Sequence, residues 1–71
     1  MTTYTAINVL KSEEFCKIAF AECFDHFAKK FNVQVEEIMT AYAAGAENVV
    51  NKVNEYVFAA AEELAKRMNE Q

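Results

Sequence analysis

Three observations on this 71-residue chain predict an all-α fold. It holds one Gly and no Pro, so few tight turns can be built and long helices are expected. At 54% hydrophobic and 25% charged it is too rich in apolar residues for a disordered chain. Those residues recur at three- and four-residue spacing through three segments, the signature of helices with one buried face. The expected architecture is one domain over residues 1–71, a small three-helix bundle with a short extra N-terminal helix. Association as a homodimer is expected as well, because chains below roughly 70–80 residues bury too little surface to be more than marginally stable alone.

Taken in order, the first ten residues fit either a short helix capped at Thr5 or an extended arm, with Tyr4, Ala6, Ile7, Val9 and Leu10 as apolar positions; the helix is favoured. The next segment, "EEFCKIAFAECFDHFAKKF", holds five Phe, both cysteines and the one histidine. Ser12 is a suitable N-cap, and Glu13 and Glu14 suit the positive end of the helix dipole. Lys29 and Lys30 suit the other end, so a helix is expected over about 13–31 with Asn32 as its stop. Cys16, Phe20, Cys23, Phe24, Phe27 and Phe31 fall within an arc of about 100°, the expected inner seam.

A second helix is expected over about 35–44, with Val35, Ile38, Met39 and Tyr42 as one apolar stripe. Gln34 at its start is a poor cap, and Gly45 is placed to end it in the left-handed conformation. The third helix, about 46–69, is expected to turn Val49, Val50, Val53, Tyr56, Val57, Ala60, Leu64 and Met68 inward. Glu47, Asn51, Asn54, Glu55, Glu62, Lys66 and Asn69 lie opposite. It would be about 34 Å long, and its far end needs covering.

The net charge of −4 and the pI near 4.8 argue against direct nucleic-acid binding, which needs a basic surface to displace counterions. No secretory signal pattern or run of about 18 apolar residues is read, so a cytoplasmic protein with reduced thiols is expected.

Cys16 and Cys23 are two helical turns apart, about 10 Å, too far for a disulfide and lacking the close-paired spacing of zinc ligands. His26 falls on the polar arc, three residues after Cys23 and four after Glu22. No nucleophile stands beside a base in a recognisable motif, and one glycine cannot make a phosphate loop. The expectation is a protein that is not an enzyme and needs no metal or cofactor. Acyl carrier proteins share its size and acidity, but Ser12 stands in Leu10-Lys11-Ser12-Glu13 and lacks their Asp-Ser-Leu attachment site.

Residues that break the helical pattern carry the functional expectation. Ile18 falls among Glu14, Glu22, Asp25 and Lys29, Phe15 lies near the edge of that arc, and Phe58 falls among Asn51, Asn54, Glu62 and Ala65. Three large apolar side chains on polar faces suggest a second buried surface. Phe15, Ile18, Asn51, Asn54, Phe58 and Glu62 are therefore the expected interaction surface, used in the homodimer or against another protein. The expected function is a protein–protein interaction module, a regulator or inhibitor that occludes its partner. Proteins that phages and other mobile elements direct at host defence machinery such as CRISPR complexes are of this kind. The alternative is a helix-turn-helix-like DNA-binding or transcription-regulating module over "VQVEEIMTAYAAGAENVVNKV", in which only Lys52 is offered to phosphates. A further alternative is a thiol- or metal-dependent activity at Cys23 and His26.

Overall fold

A computed structural model describes residues 3–70 and is all-helical, with four helices: α1 (Ala6–Leu10), α2 (Glu13–Phe31), α3 (Val35–Ala43) and α4 (Glu47–Asn69). The N-terminal segment takes the helical alternative. Thr5 caps α1 in a reciprocal box with Asn8: the Asn8 N–H donates to Thr5 Oγ1 at 3.3 Å and the Thr5 N–H to Asn8 Oδ1 at 2.9 Å. Ser12 caps α2 by accepting from the Phe15 N–H at 3.2 Å.

The two later reversals use one device twice. Asn32 (φ 56°) and Gly45 (φ 79°) both sit in the left-handed region. After α2, the Val33 N–H reaches the Ala28 carbonyl at 2.9 Å and the Asn32 N–H the Lys29 carbonyl at 3.3 Å. After α3, Ala46 bonds Ala41 and Gly45 bonds Tyr42 in the same pattern, both at 3.0 Å. Each closure satisfies helix-end carbonyls that would otherwise lack donors. Gln34 makes no side-chain cap, as its chemistry suggests, and α3 starts on Glu36 and Glu37 in its first turn.

Two apolar clusters share α4. Ala19, Cys23, Phe27 and Ala28 of α2 meet Ile38 of α3 and Val53 and Val57 of α4 in a three-helix core. Further along α4, Ala61 and Ala65 pack against Val9 of α1. Leu10 and Phe15 touch both clusters and join them. The molecule is elongated, 44 × 20 × 19 Å, along the direction set by α4.

The inner face of α4 differs from the straight stripe expected. Its buried residues are Val53, Val57, Ala61 and Ala65, a pure four-residue series. Steps of four drift by about 40° per turn, so this ridge winds around the helix. Its first half faces α2 and α3, and its second half faces α1. Ala65, expected on the outer face, is consequently buried, while Leu64, expected inside, is exposed. Met39 and Phe31, also expected inside, are each 49% exposed, because α3 is only nine residues long and its contact with the core centres on Ile38.

Candidate interaction surface

The residues expected to form a contact surface divide among three places. Phe15 is half-buried between the two clusters, held there by the docking of α1. Its ring packs against both clusters and stays partly open to solvent. Ile18 stands 60% exposed on α2. Asn51, Asn54, Phe58 and Glu62 run along the outward side of α4, all exposed. Asn54 accepts a long bond, 3.4 Å, from the Tyr42 hydroxyl of α3.

Phe58 and Glu62 line a shallow depression of about 540 Å³ between α1 and α4, together with Ile7, Ala65, Lys66 and Asn69. Ile18 and Phe15 are outside its lining. The small side chains of Ala61 and Ala65 let α1 lie close to α4. Asn69 then fastens the start of α1. Its Oδ1 accepts from the Tyr4 N–H at 2.8 Å and its Nδ2 donates to the Tyr4 carbonyl at 2.9 Å, a two-point clamp on the Tyr4 backbone.

Ile7, an apolar position of the first segment, is exposed and was not placed on the contact surface by sequence reasoning. It is 63% exposed on the side of α1 away from Val9. The Thr5 cap fixes the phase of this helix, so once Ala6, Val9 and Leu10 turn inward, Ile7 must point out. That signal was available in the cap and spacing, but the face of α4 that receives α1 was not.

Behind α1, a narrower recess of about 260 Å³ opens between Val9, Phe15, Leu64 and Met68, rimmed by Tyr4, Asn8 and Ser12. It is smaller than most ligand sites, which run about 300–1,000 Å³. At the other end of the molecule Phe31, Val33 and Met39 are exposed, and the Lys30 ammonium lies 5.8 Å from the Phe31 ring centre.

The Cys23 thiol is fully buried, its sulfur 3.9 Å from the Val53 carbonyl oxygen. Burial pushes its pKa from 9.0 to about 11. His26 is exposed, its ring 5.2 Å from that of Tyr56 and 5.1 Å from that of Phe27. The two side chains that the thiol or metal alternative joins therefore lie in different environments, one in the core and one on an aromatic surface. No group of three or more metal-ligating side chains occurs among the described residues. Lys52, the phosphate contact of the helix-turn-helix alternative, sits near Lys30, His26 and Glu55 around an open depression. Glu47 and Asn48 open α4 and are exposed. No helix among the described residues is long and apolar enough to cross a membrane. Compared with protein families, curated proteins and solved structures, the chain matches none.

Proposed function

We propose that this chain is a non-enzymatic protein–protein interaction module of the cytoplasm, a regulator or inhibitor that works by binding a partner and occluding its surface. The observation that carries the reading is the placement of large apolar side chains in solvent: Ile7, Ile18 and Phe58, the last 44% exposed. Singly exposed apolar residues are ordinary. Here Ile7 and Phe58 share one depression, rimmed by Glu62, Lys66 and Asn69. An apolar centre inside a polar rim is the usual anatomy of a contact surface, with aromatic anchors supplying most of the affinity.

The net charge of −4 favours a partner with a basic surface. Nucleic-acid-binding clefts are of that type, and the proposed partner class includes host defence machinery such as CRISPR complexes, met by small proteins of phages or other mobile elements. Homodimer formation belongs to the same reading, since a second copy covers apolar surface that one copy leaves open.

The test is capture from native host cells followed by mass spectrometry, with wild type compared against Ile18→Asp and Phe58→Asp. One defined protein captured by the wild type and lost with either substitution, at unchanged far-UV helicity, supports the proposal. Equal capture by all three forms removes both residues from the contact.

A further inference from the structure

We propose that the occupant of the α1–α4 face is a second copy of this chain, its α4 lying antiparallel on the first about a two-fold axis that passes between Ala60 and Ala61. This deepens the contact-surface reading above and rests on it. The first argument is area. A folded monomer of 8.1 kDa exposes about 4,500 Å², whereas this chain exposes 5383 Å². The excess, roughly 900 Å², is close to the roughly 800 Å² that each partner contributes to a stable interface of standard size.

The second argument is charge register. The outward side of α4 carries Asn51, Glu55, Phe58, Ala59, Glu62, Lys66 and Glu70, all exposed. A two-fold axis must bring each residue to a unique counterpart. With the axis between Ala60 and Ala61, Glu55 faces the partner's Lys66, Asn51 faces the partner's Glu70, and Glu62 faces the partner's Ala59. Residues level with one another carry no like charges and two equivalent Glu–Lys pairs flank the axis, while the two Glu62 carboxylates, about 4.5 Å apart along the helices, are like-charged neighbours across it. Neither Glu55 nor Lys66 is used in an ion pair among the described residues, where the pairs are Lys29–Asp25 and Arg67–Glu63.

The same register joins the apolar residues. α1 runs back along α4, with Tyr4 fastened to Asn69, so Ile7 lies level with the turn around Ala65. At 1.5 Å per residue, the pairing brings each Phe58 within about one turn of the partner's Ile7. The depression between α1 and α4 is then filled from outside, and Ile18 stays free for other contacts.

Sedimentation velocity over a concentration series tests this on the intact chain. The wild type should pass from monomer to dimer with rising concentration. Phe58→Asp should weaken association by about tenfold or more. Glu55→Lys and Lys66→Glu should each weaken it, and the double exchange Glu55→Lys/Lys66→Glu should restore it to within a few-fold of wild type. The two charged positions are solvent-exposed, so the exchange reads the register even if Phe58→Asp unfolds the chain. A strict monomer at every concentration overturns the inference, as does a double exchange no better than its singles. A monomer whose partner capture is still lost on Ile18→Asp or Phe58→Asp leaves the functional reading standing. A dimer with the expected charge pattern, whose capture neither substitution alters, sinks the functional reading instead.

Discussion

The Cys23 thiol and the Phe15 ring show how much one side chain's neighbours decide. Cys23 was legible: its place in the aromatic seam of α2 follows from spacing, and the structure buries it completely. A thiol whose folded pKa is raised to about 11 keeps its proton where the unfolded chain, near 9.0, has lost it. Below pH 9 both states are protonated and this group adds no pH dependence. From pH 9 to about 11 the unfolded state is increasingly favoured, by a total of up to about 3 kcal/mol. Urea unfolding should therefore show the gap between wild type and Cys23→Ala narrowing over that window, although the cavity makes the variant less stable at neutral pH. A gap that stays constant would mean the thiol titrates alike in both states. In the native protein a disulfide reagent such as DTNB should modify half-buried Cys16 first and reach Cys23 only on unfolding. Phe15 was less legible, because its arc position is marginal and it packs against both clusters, one of which includes Val9 of α1, whose docking site no local pattern announces.

Among the elements, α2 was readable to the residue, since its start and stop are written in side chains: Ser12 with Glu13 and Glu14, then Lys29, Lys30 and Asn32. The ends of α3 and α4 were expected within a residue, with Gly45 at the turn. What failed was the assumption of one straight inner stripe along α4, because two different neighbours divide that helix between them. A five-residue helix has no independent stability, so α1 exists through its contact with Ala61 and Ala65. Ala61→Leu should overfill that contact and cost about 1–3 kcal/mol in denaturant unfolding, with amides of α1 losing exchange protection before those of α2. Ala61→Leu with stability and α1 protection unchanged would place α1 elsewhere. Gly45→Ala should cost about 1 kcal/mol or slightly more, from the left-handed backbone alone, since nothing lies within 4 Å of an added Cβ.

At the scale of the whole molecule, length and composition foretold an all-helical chain but not its shape. A compact 71-residue domain has a radius of gyration of about 11 Å, and this one has 13.4 Å. Extension comes from α4, whose 23 residues exceed what α2 and α3 can cover. Large apolar side chains stand exposed at Ile7 and Phe58 beside α1, at Ile18 on α2, and at Phe31, Val33 and Met39 near the α2–α3 turn. Sequence reasoning found Phe58 and Ile18 because they violate a helical pattern. It placed Phe31 and Met39 inside because they obey one, and periodicity alone does not tell whether a neighbour is present. The central proposal, that two copies of the chain meet on the outward side of α4 beside α1, predicts where association is felt. The most direct measurement is a dilution series of amide chemical shifts from millimolar to micromolar concentration. The account predicts concentration-dependent shifts clustered at Ile7, Glu55, Phe58, Glu62 and Lys66; shifts confined to Phe31, Val33 and Met39, or none at all, would contradict it.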